Sequence, residues 1–569
     1  MLACGYLFTL PYAEPDLWGH VVYGRDVIQG GLPQTATYTY TAVGHAWINH
    51  ENLAEIVFAY ISDHWGVWAL LVGKCLLGMG ILALIAREGR RRQVSWNVLA
   101  ATCLVVATAL SSFWQVRPQL ASYACFTLLI AVLGRAFQGW QGHWCWPAGK
   151  EIARDEGAPL SHFRRRTFHW LWCLPVLFAV WANSHGGFVA GWVVLGAYLA
   201  LRFGEVVACR RWRGLRVGAV LAVTLIMCGL ATFATPYGIR LHLWLWSSLG
   251  SPRPEITEWA ALSFGSEPFL PYVFLLVATI VGLSASRRPL DATQIALLLI
   301  TGWQGFAHQR HIPFFVILAG LWLPEHWEAI VQRCQAAWKD KSSKWTQQYE
   351  SKWSWAGLAL VNLVLLVLVI SRTAYLRVDR TVYPVDALQF MADHQLSGRL
   401  VVTYNWAQYA IAAFGVEQAN DDSQEGILVA FDGRFRTCYP EEVIDQHFDF
   451  VIGDSSAMRN ATNTQVNTRV LKFGNPNLVL ISRLQTPSVE NMEAHQDDWV
   501  LLYQDALAQL WGRRSEFDQS GHHNYLPPEQ RQISDRVPEG MAAWPALPAT
   551  SARGSIADAQ TSKKQLPDA

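Results

Sequence analysis

The chain has 569 residues, of which 52% are hydrophobic and 16% are charged, and its formal net charge is +1. Soluble domains carry about 25% charged residues, so this composition indicates a membrane protein. The near-neutral charge predicts nothing about nucleic acid, and because the sequence contains no basic aromatic module we set that class of partner aside. The ten cysteines include no CxxC pair, and most lie in apolar segments or basic loops. This pattern argues against a disulfide framework and against a thiolate zinc site.

Apolar segments that could cross a bilayer recur through the first two thirds of the chain. A crossing helix needs about 20 mostly apolar residues. The run from Met1 to Ala13 is too short to cross alone and lacks the basic start of a signal peptide. We interpret it as the end of a first span, which brings the predicted total to about eleven. The other candidate spans centre on 66–86, 96–113, 119–137, 169–183, 187–203, 215–234, 268–285, 291–307, 311–324 and 355–371.

Positive charge alternates from loop to loop between these segments. Every second loop is basic, and the loops between them are almost free of Lys and Arg. The positive-inside rule then predicts that the basic loops are cytoplasmic, and that residues 14–65 and those after about 372 lie on the outer side. The basic loops carry Arg87, Arg90, Arg91 and Arg92; Arg164, Arg165 and Arg166; Arg210, Arg211, Arg213 and Arg216; Arg287 and Arg288; and Lys339, Lys341, Lys344 and Lys352.

A few arginines remain on the predicted outer side, where the orientation rule disfavours them: Arg25, Arg117, Arg240, Arg253 and Arg310. A guanidinium fork can bind a phosphate through two parallel hydrogen bonds. The alternative is an arginine that snorkels or forms a surface salt bridge. For Arg117 and Arg310 we favour phosphate binding, because each lies at a membrane boundary beside polar neighbours.

The first polar loop, residues 14–65, contains most of the candidate reactive side chains. A helix from Asp16 to Gln29 would place Asp16 and His20 on one face. After an extended link, a second helix would carry His50 and Glu51 in its first turn. Asp16 could instead be a helix cap, and Glu51 a helix-start acid. A divalent ion held by Asp16, His20 and His50 is a further alternative.

Two other outer segments contribute polar candidates. Asn183 and His185 lie in the short turn from Trp181 to Phe188. A pair of glycines explains why this turn is tight but not why it carries these two side chains. His311 follows Arg310, and either shares a ligand with His308 or belongs to a capped helix end.

The composition becomes that of a soluble protein after about residue 373. Helical patterns at 385–394 and 441–448 alternate with short apolar strands at 400–403, 427–431, 478–481 and 500–503. This alternation predicts an α/β domain over 373–514. We interpret the turn Phe431-Asp432-Gly433-Arg434 as scaffolding. Residues 515–569 are rich in Pro, Gln and Ser, and are predicted to be disordered.

Short motifs spread over nearly the whole chain resemble the GT-C class of integral-membrane glycosyltransferases, and more narrowly its bacterial members with a C-terminal soluble domain. The motifs are Asp16-Leu17-Trp18-Gly19-His20, Gly24, Pro33, Tyr38 to Thr41, Trp47, Asn49-His50-Glu51, Arg117-Pro118, Trp181 to Phe188, Pro236-Tyr237-Gly238, Arg310-His311-Ile312-Pro313, Asn405-Trp406 and Phe431 to Arg434.

The resemblance implies a helical, polytopic protein of the bacterial inner membrane, with residues 1–372 as its transmembrane domain and an extracytoplasmic α/β domain. In that class an acidic residue early in the first outer loop acts as base or metal ligand. Asp16 matches that position, Glu14 stands beside it where a second Asp is common, and Glu51 is a further catalytic candidate. No cofactor beyond a possible divalent ion is implied.

The resemblance also implies a polyprenyl-phosphate sugar as donor and an inverting displacement, with an acceptor that stays open. The donor phosphate would be bound by Arg117, Arg310 and Arg240. His20, His50, Asn183, His185 and His311 are candidates for binding substrate, acceptor or metal.

Two other functions stay open: a transporter or lipid flippase, and a scaffold that recruits envelope partners through its C-terminal domain. A transporter is expected to carry charges along a membrane pathway and matched broken helices in two halves. The ionisable residues of this sequence gather instead at one predicted membrane face, which favours the enzyme.

Overall fold

The computed structural model describes residues 1–138, 140, 145–146, 167–210, 212, 215–250, 253, 255–341, 352–415, 426–453 and 468–549. Some of the predicted basic residues lie outside these ranges: Arg164, Arg165, Arg166, Arg211, Arg213 and Lys344. The last part of the predicted disordered tail, residues 550–569, also lies outside them.

Helices dominate the described chain, and a helix coincides with each of the ten segments predicted as spans. The α-helices are Leu2–Leu7, Leu17–Gly30, Asn52–Trp65, Val67–Arg91, Trp96–Ser111, Gln119–Ala136, Leu174–Ser184, Phe188–Arg210, Leu215–Ala231, Ile239–Leu249, Phe269–Ala285, Ala292–Ala307, Ile312–Trp322, Pro324–Lys341, Lys352–Thr373, Val385–Asp393, Ala407–Phe414, Glu441–Ile452, Thr486–Ala494 and Arg514–Phe517.

Three of the described helices are long and apolar enough to cross a membrane: Val67–Arg91, Gln119–Ala136 and Phe188–Ala208, which is the larger part of the helix Phe188–Arg210. A fourth crossing results if Gln309–Trp322 and Pro324–Trp338 form one span, bent by 51°. The bend lies at Pro324, which cannot continue the hydrogen bonds of the preceding helix. Four further apolar helices are shorter. The total of about eleven spans and their orientation therefore stay predictions.

The chain divides into two compact units, and the division differs from the predicted domains. The first unit contains residues 1–10, 70–243 and 256–374. The second contains residues 11–69, 244–255 and 375–569, so the first polar loop groups with the C-terminal part of the chain.

The first unit is built around the helix Ile312–Trp322, in which every residue is buried. A helix that is apolar on all sides is stable only when other helices surround it. Gly320 permits one of these close contacts, because a Cβ there would lie 2.9 Å from Val106 and 3.0 Å from Ile85. A short antiparallel pair, Cys145–Trp146 with Leu290–Asp291, also belongs to this unit.

The second unit contains a six-stranded sheet. The strands follow the order Ile427–Val429, Gly398–Val402, Leu478–Ser482, Ala508–Arg513, Trp499–Gln504 and Gln532–Ile533. The first three strands are parallel, and Ala508–Arg513 pairs antiparallel with both of its neighbours. These strands include the four that the alternating pattern predicts, so the sequence locates the sheet correctly.

Residues 515–549 are folded, although their composition predicts disorder. Phe517 and Leu526 are buried, and the strand Met541–Ala543 pairs antiparallel with Arg377–Asp379. The indole N–H of Trp18 donates to the carbonyl of Pro545 at 2.9 Å. Composition misleads here because a few buried apolar residues and backbone pairing order a segment that is polar on average.

The two helices of the first polar loop pack tightly against each other within the second unit. A Cβ on Gly24 would overlap the backbone of Glu55, so only glycine permits the observed approach. The Arg25 guanidinium and the Asp63 carboxylate join the same helices farther along, with the closest N–O distance at 2.6 Å. This packing fixes which side chains of the two helices face each other.

Candidate functional site

Asp16 immediately precedes the helix Leu17–Gly30 and is half-buried. Its side chain makes no capping hydrogen bond, while its backbone carbonyl accepts from the His20 N–H at 2.9 Å. The Glu14 carboxylate accepts from the Asp16 N–H at 3.0 Å. A capping role therefore does not account for the Asp16 carboxylate, and Glu14 acts on the backbone of Asp16.

Glu51 holds the equivalent position before the helix Asn52–Trp65, and its side chain makes no capping hydrogen bond either. Its backbone N–H donates to the Asn49 side-chain oxygen at 3.2 Å. The Asn49 side chain, rather than the acid, thus organises the entry to this helix. The Glu51 carboxylate lies close to His20 and Glu55.

A buried carboxylate that the sequence did not point to, Glu55, completes this cluster. One of its oxygens lies 3.0 Å from His20 Nδ1, and the other accepts from the Asn49 amide at 2.6 Å. Both His20 and Glu55 are buried. Glu55 follows Glu51 by one helical turn, so the shared helix face was the signal that could have identified it.

The environment of His20 favours its charged form. Burial is the largest single effect and would lower the pKa of the imidazole. The hydrogen bond to Glu55 and the charges of Glu51, Glu55 and Asp16 outweigh it and raise the pKa to about 9. His20 is therefore an imidazolium at neutral pH, held beside three carboxylates.

The same cluster has a set of donors suited to a divalent ion. Ligand atoms of His20, Glu51 and Glu55 all lie within 4.8 Å of one another. Imidazole and carboxylates are suitable ligands for such ions. Of the ligands proposed from the sequence, only His20 belongs to this set. His50 packs against Trp244 with ring centroids 5.2 Å apart, and its Nε2 lies 3.9 Å from a Glu51 oxygen.

The turn at Gly433 packs directly on Asp16. A Cβ added to Gly433 would overlap both the Asp16 carboxylate and the Gln408 amide, and one added to Gly19 would overlap the Gln408 side chain. Gln408 is buried, and its side-chain oxygen has no hydrogen-bond partner among the described residues. Asp16 is thus held against a glycine and an amide that lie about 400 residues later in the chain, which sequence spacing could not reveal.

Arg434 anchors that turn. Its guanidinium pairs with Asp432 at 2.7 Å and donates to the Thr37 hydroxyl at 3.0 Å. It also lies over the rings of Tyr23 and Trp47, at 4.8 and 4.7 Å from their centroids. These contacts are consistent with a scaffolding role for this turn. Through Gly433, the turn also packs against Asp16.

In the first unit, two of the arginines predicted to lie on the outer side act on the same acid. The Arg117 guanidinium forms an ion pair with Glu258. Burial would raise the pKa of Glu258, but the charges of Arg117 and Arg310 and the hydrogen bond from Arg117 outweigh it and lower the pKa. The Arg310 guanidinium also stacks on the Trp259 ring, 4.4 Å from its centroid. The third candidate, Arg240, is exposed and belongs to none of the ion pairs between described residues.

The remaining candidates lie in polar contacts of the first unit. The Gly187 N–H donates to His185 Nδ1 at 3.0 Å, so this nitrogen is an acceptor. The Ser122 hydroxyl, which accepts from the Trp181 indole, therefore donates to the same nitrogen at 2.7 Å. The Asn183 amide donates to the carbonyls of Ala179 and Ala234, both at 2.8 Å. His311 Nδ1 lies 3.2 Å from the Gln304 side-chain oxygen.

No family model and no curated protein matches the chain. Its structure is similar to that of ArnT from Cupriavidus metallidurans bound to undecaprenyl phosphate, at 12% identity and a TM-score of 0.47, over 92% of this chain and 97% of that one. It is also similar to the oligosaccharyltransferase AglB from Archaeoglobus fulgidus in complex with an inhibitory peptide and a dolichol-phosphate.

The likeness to AglB has 10% identity and a TM-score of 0.42, and covers 84% of this chain and 69% of AglB. A complex of the Archaeoglobus fulgidus oligosaccharyltransferase with Zn and sulfate gives 11% identity, a TM-score of 0.41, and coverage of 84% and 67%.

Proposed function

We propose that this chain is a membrane glycosyltransferase that moves a sugar from a polyprenyl-phosphate donor to an acceptor hydroxyl on the outer side of the membrane. The observation that best supports the proposal is the position of the Asp16 carboxylate. It is half-buried, makes no helix cap, and is held by packing against Gly433 and Gln408. A carboxylate held in this way can accept a proton from a bound hydroxyl.

In the proposed reaction the acceptor oxygen bonds to the anomeric carbon while its proton passes to an Asp16 carboxylate oxygen. The bond between the anomeric carbon and the phosphate oxygen breaks, and its electron pair leaves with the lipid phosphate. A single displacement of this kind inverts the anomeric configuration. Negative charge grows on the leaving phosphate, so fixed cations near it stabilise the transition state.

Arg117 and Arg310 are the residues proposed to bind that phosphate. Arginine is suited to the role because its planar fork matches two phosphate oxygens. Both guanidinium groups act on the one carboxylate of Glu258. A carboxylate that pairs with one arginine and feels the charge of a second lies where a phosphate would also be stabilised.

The proposal also includes a divalent cation as an alternative occupant of the cluster at His20. His20, Glu51 and Glu55 would hold it. When bound, it would supply positive charge to polarise an oxygen of a substrate. His20 would have to lose its proton first, so binding would strengthen as the pH rises.

The test is the Asp16→Asn variant, with Asp63→Asn as the matched control. Asp63 is an aspartate of the same polar loop that pairs with Arg25. Asp16→Asn should transfer sugar at least about 100-fold more slowly, because a general base contributes about 10²–10⁴-fold. Asp63→Asn should keep most of the activity.

The assay follows purified protein in detergent with a panel of polyprenyl-phosphate hexoses and pentoses, with and without a chelator, and without any ion gradient. Thermal unfolding checks that both variants fold. Full activity of Asp16→Asn would remove Asp16 from its proposed role. If the unmodified protein consumed no donor of the panel, the proposed function itself would be rejected.

A further inference from the structure

The Glu258 carboxylate lies within range of two arginine charges. It forms an ion pair with Arg117, and the charges of Arg117 and Arg310 both act on its carboxylate. The Glu258 side chain keeps 37% of its exposure and that of Arg117 keeps 21%. The Glu258 carboxylate is therefore paired with one guanidinium group, within range of the charge of the other, and exposed enough to exchange with a solute.

The element that carries Glu258 is short. It is the single 3-10 turn Thr257–Trp259, in which no residue is buried. The carbonyl of Trp259 faces His308 Nδ1 at 2.7 Å, and the Trp259 ring lies under the Arg310 guanidinium. Trp259 thus ties the turn to Arg310, whereas the half-exposed carboxylate of Glu258 can turn away through its own side-chain torsions.

Building on the proposed function, we propose that Glu258 is an internal counter-anion of the phosphate site. Its carboxylate occupies the guanidinium groups of Arg117 and Arg310 when no lipid phosphate is bound. The phosphate group of the lipid takes its place, and the carboxylate returns when the product leaves. Glu258 thereby weakens phosphate binding and promotes product release.

The charges of donor and product show why such a competitor is useful. A polyprenyl-phosphate sugar is a phosphodiester with one negative charge. The lipid phosphate left after transfer is a monoester, which carries about −1.5 to −2 at pH 7. Two arginines alone would hold the product more tightly than the donor. A carboxylate that competes for the same guanidinium groups opposes this retention.

The test compares Glu258→Gln with the unmodified protein and with Glu267→Gln as control. Glu267 is an exposed glutamate of the same outer segment. The probe is undecaprenyl phosphate in detergent, measured by equilibrium binding and as an inhibitor of transfer. Glu258→Gln should bind the probe about tenfold more tightly, a change of about 1.4 kcal/mol. Its inhibition constant should fall by the same factor, and Glu267→Gln should leave both unchanged.

Unchanged or weaker binding in Glu258→Gln would overturn the inference, because Glu258 would then only orient the arginines. Glu258→Asp offers a second measurement if the glutamine variant does not fold. Its shorter side chain keeps the charge but reaches the guanidinium groups less well, so its affinity should lie between the other two. Equal affinity of the aspartate variant and the unmodified protein would contradict the inference.

Failure of the inference and failure of the proposed function are distinguishable. Binding of undecaprenyl phosphate is measured without turnover, so tighter binding in Glu258→Gln supports the counter-anion even if no sugar is transferred. If the unmodified protein and Arg117→Ala bound the probe equally weakly, the phosphate site itself would be rejected.

Discussion

The cluster at His20 and the cluster at Glu258 both combine cations with carboxylates, but they differ in burial. The side chains of His20 and Glu55 keep 10% and 4% of their exposure, whereas those of Arg117 and Glu258 keep 21% and 37%. In the first cluster Asn49 satisfies the second oxygen of Glu55. The buried pair is therefore a fixed part of the fold, and the half-exposed pair can exchange its anion.

The largest expected effect comes from breaking the buried pair with Glu55→Gln. Removing one partner of a buried ion pair costs about 3–5 kcal/mol when nothing else compensates the remaining charge. The charges of Glu51 and Asp16 still act on His20, which places the expected cost at the lower end of that range. We expect a loss of that size in the free energy of unfolding, measured in detergent by heat or denaturant. His20 should also titrate at lower pH in this variant, because its largest favourable interaction is with Glu55.

Asp63→Asn is the control for that experiment, since it breaks a half-exposed pair between the same two helices. Exposed ion pairs contribute about 0–1 kcal/mol. Equal losses in Glu55→Gln and Asp63→Asn would mean that burial does not distinguish the two kinds of pair.

The next largest effect is expected on the rate of transfer, when the turn that packs against Asp16 is changed. In Gly433→Ala the new methyl group would overlap the Asp16 carboxylate and the Gln408 amide, so Asp16 must move. A displacement of about 1 Å of a catalytic group can cost about 100-fold in rate. We expect a loss of transfer of that order, measured with the lipid-phosphate sugar assay. Gly521→Ala, where a Cβ meets nothing within 4 Å, should keep full activity.

A large loss of stability in Gly433→Ala, seen together with the loss of transfer, would point to a general packing defect. Reduced transfer at unchanged stability supports a positioning role for the turn. Full activity in Gly433→Ala would show that the position of Asp16 against this turn does not matter for the reaction.

The sequence predicts the helices and the sheet well because both depend on local pattern. Runs of apolar residues locate helices such as Val67–Arg91, and short apolar strands such as Leu478–Ser482 lie between helical patterns. The folded segment 515–549 escapes prediction because its order depends on strand pairing with residues 377–379 and on two buried side chains. Pairing of this kind is not visible in composition.

The candidate site is predictable only in part, for the same reason. Asp16 and His20 are recognisable because both lie in one short motif of a polar loop. Glu55 faces His20 only because the two helices approach closely at Gly24. Gln408 reaches Asp16 across a long stretch of chain, so no spacing rule could associate them. The sequence left phosphate binding and a salt bridge as alternatives for Arg117, and the salt bridge partner, Glu258, is seen only in the structure.

The smallest effects should appear when stability is measured as a function of pH. The contribution of His20 to stability is lost as the pH rises, and that of Glu258 is lost as the pH falls. His20 has a pKa of about 9 in the folded chain, above its ordinary value of 6.5. Its contribution to stability is complete below pH 6.5 and is lost as the pH rises through about 9. Glu258 has a lowered pKa, so its contribution is present above its ordinary value of 4.5 and is lost as the pH falls through the folded value.

The difference in unfolding temperature between each variant and the unmodified protein, measured from about pH 2 to 10, isolates these contributions from the other titrating groups. The deficit of Glu55→Gln should shrink on the alkaline side, where the unmodified protein also loses the His20 charge. The deficit of Glu258→Gln should shrink on the acid side and stay below about 1 kcal/mol, because its pair is screened by solvent. If Glu258→Gln lost as much stability as Glu55→Gln, the pair of Glu258 with Arg117 would be a structural ion pair. Glu258 would then not be an exchangeable counter-anion.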